Sequence, residues 1–158
     1  SKELEEQQLV TNFIENQLLD IAVNLNTDKT ETVKAGNLLH LRTKVSGDLN
    51  SSSSLEELIR ALHPTPAVCG LPRELARTFL IENENYDRSF YTGFLGELNL
   101  QDSKDLVKST ALFVNLRCMR IQNNKAAIFV GGGITKDSNA SNEWEETVFK
   151  AKTMKRML

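Results

Sequence analysis

Apolar residues recur at helical spacing from the start of the chain: Val10, Phe13, Ile14, Leu18, Ile21 and Leu25 predict one helix from Lys2 to Leu25. Glu6 and Glu3 continue the same ridge toward the N-terminus and are the acids best placed to face inward. Asn26 to Gly36 reads as a polar connection, after which LLHLRTKV alternates as a strand over Leu38 to Val45. One face of that strand carries Leu39, Leu41, Thr43 and Val45; the other carries His40, Arg42 and Lys44 and faces either water or an anion. Gly47 to Ser54 reads as a loop, and Ser54 with Glu57 has the capping-box spacing that opens a short helix over Leu55 to Leu62. In HPTPAVCGLPR, His63 to Arg73, the prolines and glycine impose an extended, turned backbone, with Ala67, Val68 and Cys69 small enough to line a wall. Pro72 suits the first turn of a helix that runs to about Asn83.

The second half alternates differently. Asp87 to Leu100 is aromatic and glycine-bearing, which fits a strand with a bulge at Gly93 or Gly96. Ser109 to Ile121 reads as the strongest strand, with Leu112, Val114, Leu116 and Cys118 inward and Phe113, Asn115 and Arg117 on the other side. Gln122 to Asn124 predicts a tight turn, because asparagine tolerates positive φ, and Lys125 to Val130 returns as the partner strand. That return delivers the chain to Gly131, Gly132 and Gly133, and then to a terminal helix. The pattern is that of an antiparallel sheet closed by a helix.

Composition narrows the class. The chain has 158 residues, 40% hydrophobic and 25% charged, which suits one ordinary globular domain with a real core. Nineteen basic residues stand against 21 acidic ones with no long block of either sign, so nucleic acid is not the expected partner. No apolar run approaches the roughly 20 residues of a membrane span, and no signal-peptide pattern opens the chain, so the expectation is a cytoplasmic protein. Cys69 and Cys118 fit reduced, buried thiols, and two histidines are too few for a histidine-based metal site.

The stretch richest in candidate chemistry is Phe129 to Lys150. Glycines let a backbone approach a ligand with its N–H groups exposed. On a helix, Glu143 and Glu146 are neighbours at i,i+3 and Lys150 follows Glu146 at i,i+4, so two carboxylates and one ammonium share a face. That face could hold a divalent cation with oxygen ligands. The same residues are equally those of a helix start that suits the macrodipole, beside an ordinary surface ion pair. Arg117, one hairpin away, needs a carboxylate from the protein or a ligand if it is buried.

Taken in order, KELEEQQLV, LLHLRT, LHPTPAVCGLPR, DRSFYTGFLG, LFVNLRCMRI and VGGGIT followed by EWEET and Lys150 resemble the chorismate-utilising enzyme family. The block HPTPAVCGLPR narrows the resemblance to the isochorismate synthases of menaquinone or siderophore pathways, the menaquinone type foremost. Anthranilate and aminodeoxychorismate synthases usually carry a phenylalanine-proline-x-glycine-threonine version ending in proline-lysine. The resemblance implies a large α+β domain of antiparallel β-sheets packed together with flanking helices. It implies Mg²⁺ as cofactor, held by Glu6 and Glu146 with Glu3 and Glu143 supporting through water, the ion gripping the ring carboxylate of chorismate. His40, Tyr91, Arg117, Gly131, Gly133 and Lys150 match substrate-contacting positions, and Ala67 lies where salicylate-forming relatives carry threonine. Ser89 departs from the glycine that many relatives place after the arginine, which alters the turn before Tyr91.

The implied reaction is hydration and dehydration of the chorismate ring to give isochorismate, with a lysine base and a glutamic acid in the N-terminal half of the family domain. Neither block is evident, nor is the family's glycine-threonine loop, so the 158 residues read as a single partial chorismate-binding domain, inactive by itself. Unpaired sheet edges and uncovered apolar faces are then expected, with self-association or incomplete order as the consequence. Two alternatives stay open. One is another chorismate enzyme, a salicylate synthase or an anthranilate synthase component; the other is a noncatalytic domain that binds an anionic metabolite or a protein.

Overall fold

The computed structural model describes residues 2–35, 38–101 and 108–158. The chain divides into two compact units, Ser1–Asn83 and Glu84–Leu158. Both mix helices with small antiparallel sheets, so the fold is α+β as expected.

In the first unit, α1 spans Lys2–Leu18 and stops well short of Leu25. Ile21 and Leu25 lie four apart, a spacing that satisfies a helix and a strand equally, and here the strand wins. Ala22–Thr27 forms β1 and pairs antiparallel with β4, Val45–Leu49, whose last three residues lie in the segment expected to be a loop. The turn between α1 and β1 is fixed by Asn50, whose backbone N–H donates to Ile21 and whose side chain donates to the Asp20 carbonyl, each at 3.0 Å. Gly47 is required in β4, because a Cβ there would come within 2.7 Å of the Leu25 side chain and 3.1 Å of the Val23 carbonyl.

The expected polar connection contains β2, Glu31–Ala35, which pairs with β3, Leu38–Arg42; Gly36 lies outside the described residues. The single strand expected over Leu38 to Val45 is therefore two strands with different partners, β3 and β4, broken at Thr43 and Lys44. Thr43 Oγ1 at the break accepts from Gln7 Nε2 at 3.1 Å, which ties the break to α1.

The helices α2, Leu55–Leu62, and α4, Arg73–Asn83, match the sequence pattern. Ser54 and Glu57 close the capping box in both directions, at 3.2 and 2.7 Å. Between them the wall is not wholly extended, since Pro66–Cys69 forms one turn, α3, with Pro66 at its start and Gly70 ending it at φ 84°. Arg73 donates to the Ala61 carbonyl at 3.1 Å and lies 5.5 Å from the Phe13 ring centroid, so one guanidinium joins α4, α2 and α1. Thr11, Leu18, Ala22 and Cys69 are this unit's most buried side chains among the described residues.

In the second unit, β5 spans Phe94–Gln101 and pairs with β6, Lys108–Val114. Residues 87–93, expected to begin this strand, are turns and irregular backbone instead. The long strand expected from Ser109 to Ile121 breaks at 115–117, and β7, Cys118–Gln122, pairs with β8, Lys125–Phe129. Arg117 sits in that break at φ 47°, so it belongs to a connection rather than to the outward face of a strand. Asn115 explains the break: its backbone still pairs with Thr92 and Gly93 at 2.9 and 2.8 Å, while its side chain donates to the Phe90 carbonyl at 2.8 Å. The β7–β8 turn forms as predicted, with Asn123 and Asn124 at φ 50° and 60° between paired Gln122 and Lys125. The terminal helix α5 spans Ala140–Lys155 and packs on β8.

Candidate functional site

The second unit brings five of the sequence-predicted residues to one place: Tyr91, Gly131, Glu143, Glu146 and Lys150. Chain order does most of this, since β8 runs into the glycines and the chain then turns back into α5. The turn is held by Ser138, whose Oγ accepts from the Thr135 N–H at 2.9 Å. Asn139 caps α5 by accepting from the N–H groups of Ser141 and Asn142 at 3.1 and 3.2 Å. The first turns of α5 are thereby aimed back over the glycine segment.

Glu143 and Glu146 then sit above Gly132. A Cβ built on Gly132 would lie 3.6 Å from Glu143 Oε2 and 3.7 Å from Glu146 Oε1, so two carboxylate oxygens approach the same small space. Glu143 is 8% exposed, whereas Glu146 is open to solvent. Lys150 Nζ reaches both sides of the cradle, 2.5 Å from Glu146 Oε1 and 3.0 Å from the Gly131 carbonyl it donates to. The ammonium thus joins the helix to the loop and partly neutralises the acids.

Gly131 meets a different neighbour. A Cβ there would come within 2.7 Å of Tyr91 Oη, closer than atoms can pack, so the tyrosine hydroxyl takes the place of a side chain. Tyr91 is 8% exposed and cannot easily swing away. Its ring stacks on Phe129, with centroids 5.6 Å apart and planes 29° apart, and Arg88 lies 5.7 Å from its centroid on the protein's own scaffold. Arg88 is itself fixed by a two-pronged pair with Glu84, at 2.5 and 2.6 Å, and by a bond to Thr92 Oγ1 at 3.2 Å. Burial pushes the Tyr91 phenol above its ordinary value, with the neighbouring Tyr86 adding to the effect, so its hydroxyl keeps its proton at neutral pH. The Glu84 hydrogen bonds raise the already high pKa of Arg88.

Sequence reasoning missed Glu84, Arg88, Tyr86 and Phe129. The dense aromatic and charged composition around Tyr91 was their one signal. Ser89 adopts φ 50°, the conformation that glycine takes without strain, and Asp87 Oδ1 offsets part of the cost by accepting the Ser89 N–H at 2.8 Å. The departure at Ser89 therefore leaves Tyr91 in place.

Other predicted residues are not drawn into this cluster. Gly133 continues the exposed loop, and Arg117 is half-buried in the connection before β7. Four belong to the first unit. His40 pairs across from Val33 on β3, and Ala67 is exposed on α3. Glu6 is half-buried on α1, along the ridge of Val10 and Phe13, with Glu3 exposed one turn earlier. Arg42, which shares the His40 face, is matched to Glu31 at 2.7 Å and is not a waiting anion site.

Among the described residues, no three histidine, cysteine or acidic side chains gather closely enough to hold a metal ion by themselves. Two carboxylates over a residue without a Cβ nevertheless suit Mg²⁺, which keeps several waters and takes only one or two carboxylates from a protein. The donor chemistry fits a hard cation. Backbone glycines, two acids and a tethering ammonium thus gather on one side of the second unit.

Comparison with known proteins gives the chain its class. The chain belongs to the chorismate binding enzyme family, whose profile matches residues 1–158. It is 31% identical over its full length to the isochorismate synthase DhbC of Bacillus subtilis, spanning 39% of that protein. It is 33% identical to the vibriobactin-specific isochorismate synthase of Vibrio cholerae, over 98% of this chain and 38% of that one. It is also 33% identical to the isochorismate synthase MenF of Bacillus subtilis, over 97% of this chain and 31% of that one. A solved structure of DhbC from Bacillus anthracis superposes with a TM-score of 0.77 and 34% identity, covering 97% of this chain and 40% of that one. The menaquinone-specific isochorismate synthase MenF of Escherichia coli gives a TM-score of 0.76 at 28% identity, over 96% and 34% of the two chains. The chain thus spans between 31% and 40% of the length of these relatives. Relatives of different specificity match equally well, so the menaquinone type is one of several.

Proposed function

We propose that this chain supplies metal carboxylates and part of the substrate pocket for the Mg²⁺-dependent isomerisation of chorismate to isochorismate in the cytoplasm. The supporting observation is the convergence of Glu143 and Glu146 on Gly132 with Lys150 bridging Glu146 to Gly131, in a chain whose relatives are isochorismate synthases. By resemblance Glu146 and Glu6 would be ligands of Mg²⁺, with Glu143 and Glu3 supporting it through water. When bound, the ion neutralises a ring carboxylate of the substrate.

The chain's own residues have separate tasks in this reading. Lys150 fixes the carboxylate of Glu146 and the Gly131 peptide in one orientation, so the cradle is formed before substrate arrives. By resemblance the Gly131 to Gly133 backbone and Arg117 would offer donors to the substrate's carboxylates, and the protonated Tyr91 hydroxyl one more. By resemblance His40 and Ala67 are further substrate-contacting positions. No residue here takes the general acid or base role, so the 158 residues alone bind but do not turn over. The test is calorimetry with chorismate, with and without Mg²⁺, alongside product analysis. The reading requires Mg²⁺-dependent binding that Glu146→Ala loses, and no isochorismate formed. Metal-independent binding, or none, favours a noncatalytic anion- or protein-binding domain, and appearance of salicylate or anthranilate moves the chain to another chorismate enzyme.

A further inference from the structure

Glu84 and Arg88 form a charge pair that the turn beside them does not need. Residues 88–93 are already fixed by their own backbone: the Tyr91 N–H donates to the Arg88 carbonyl at 2.8 Å, the Gly93 N–H to Phe90 at 3.2 Å and the Thr92 N–H to Asn115 at 2.9 Å. The Asn115 side chain adds a bond to the Phe90 carbonyl at 2.8 Å. The pair is nevertheless drawn well out of water, with the Arg88 and Glu84 side chains only 25% and 24% exposed. Desolvating two charges costs much of what their attraction returns, so such a pair is weak evidence of a stabilising role.

Its placement shows what it constrains. Nε and Nη2 of Arg88 donate to Glu84 and Nη1 donates to Thr92 Oγ1, which leaves the guanidinium plane little freedom. Its Cζ lies 5.7 Å from the centroid of the Tyr91 ring. Phe129 supports the same ring at 5.6 Å and has Arg120 Cζ 5.9 Å from its own centroid. From Tyr91 the contacts continue toward the acids. Its hydroxyl fills the space of a Gly131 side chain, the Gly131 carbonyl accepts from Lys150 Nζ at 3.0 Å, and Lys150 pairs with Glu146 at 2.5 Å. Every link lies within Glu84–Leu158.

We propose that Arg88, locked by Glu84, is a positioning residue: it holds the Tyr91 hydroxyl against Gly131 and so fixes the peptide to which Lys150 tethers Glu146. It acts through Tyr91. That the ordered acids serve a cation rests on the function proposed above, whereas the placement of Tyr91 does not. A purely structural pair would tie residue 84 to residue 88 equally well with the two charges exchanged, and that separates the two roles.

The experiment is NMR on the metal-free 158-residue chain, recorded well below each variant's thermal midpoint. It reads the Overhauser contact between the Tyr91 ring and the Gly131 α-protons, together with the nitrogen signal of the Lys150 ammonium. Arg88→Met should weaken the contact at least about threefold, the population change that loss of one cation–π interaction gives, and should shift the Lys150 signal. Arg88→Lys keeps a cation beside the ring and should restore most of the contact. The exchanged pair Glu84→Arg/Arg88→Glu keeps the ion pair but sets a carboxylate beside the ring, and should behave as Arg88→Met does. Titration with Mn²⁺ alone, followed by water proton relaxation, should give a Kd about tenfold weaker in Arg88→Met than in wild type. An intact contact in Arg88→Met, a contact restored by the exchanged pair, or a Lys150 signal and Mn²⁺ affinity indifferent to its loss overturns the proposal. A wild-type chain that does not bind Mn²⁺ would instead overturn the proposed function, and the two metal-free readings would still decide the role of Arg88.

Discussion

The two units deliver their candidate residues in different ways. In Glu84–Leu158, Gly131, Glu143, Glu146 and Lys150 lie within twenty residues of one another, on a strand exit and the helix that follows it. A tight turn and an N-cap are enough to bring them together, and Tyr91 arrives from one neighbouring turn. In Ser1–Asn83, Glu3, Glu6, His40 and Ala67 are distributed over α1, β3 and α3, more than sixty residues apart at the extremes. Short connections make a site that is coupled internally; dispersed elements leave each residue answerable mainly to its own neighbours.

That contrast is open to direct attack. The largest effect should come from Gly131→Ala, whose methyl would meet Tyr91 Oη at 2.7 Å, costing roughly 1–3 kcal/mol of stability in a urea melt. Tyr91→Phe in the same chain should recover most of the loss, because the next tyrosine atom lies 4.0 Å from the new methyl. Additive losses would show that the two residues are not coupled. Asn139→Ala removes the acceptor for two N–H groups at the start of α5 and should cost about 1 kcal/mol. Lys150→Met breaks a half-exposed ion pair and one bond to Gly131, and should cost about 0.5–1 kcal/mol.

Smaller effects sharpen the other side of the comparison. The Tyr91 phenol is raised in the folded chain, so above pH 10 the unfolded chain loses a proton that the folded one keeps, and stability should fall as pH rises through the folded value. Tyr91→Phe should flatten that alkaline limb. His63, in the first unit, is lowered by burial, so its contribution is present above about pH 6.5 and declines as pH falls below it. A thermal melt series from pH 7.5 to 5 should show that decline, and His63→Asn should remove it. Arg42→Ala cuts an exposed pair with Glu31 and should change stability by less than about 0.5 kcal/mol.

Local patterns were the legible part of this sequence. The capping box at Ser54, the asparagine turn at 123–124 and the helix carrying Glu143 and Glu146 all follow from short-range chemistry, and all form as read. Failures occurred where one pattern served two structures. Ile21 and Leu25 suit both a helix and a strand, and alternation continued across Thr43 and across Asn115 although the hydrogen-bonding partner changed there. A residue sequence does not announce a change of partner. The Arg88 and Glu84 support of Tyr91 was hidden for a related reason, since it depends on turns at Asp87 and Ser89 that place a pair four residues apart outside any helix.

Of the site, the carboxylate spacing and the Glu146–Lys150 pair were readable, but the part played by each glycine was not. Gly131 makes room for a tyrosine hydroxyl and Gly132 lies beneath two acids, so adjacent glycines answer to different neighbours. In the function proposed above, this glycine segment and the start of α5 are the cation-binding part of a chorismate site. Replacing Mg²⁺ by Mn²⁺ and recording amide NMR spectra with chorismate tests it most directly. Paramagnetic broadening should centre on the Gly131 to Gly133 and Glu143 to Glu146 amides and vanish in Glu143→Gln/Glu146→Gln. Broadening centred elsewhere, or unchanged in the double variant, would contradict the account.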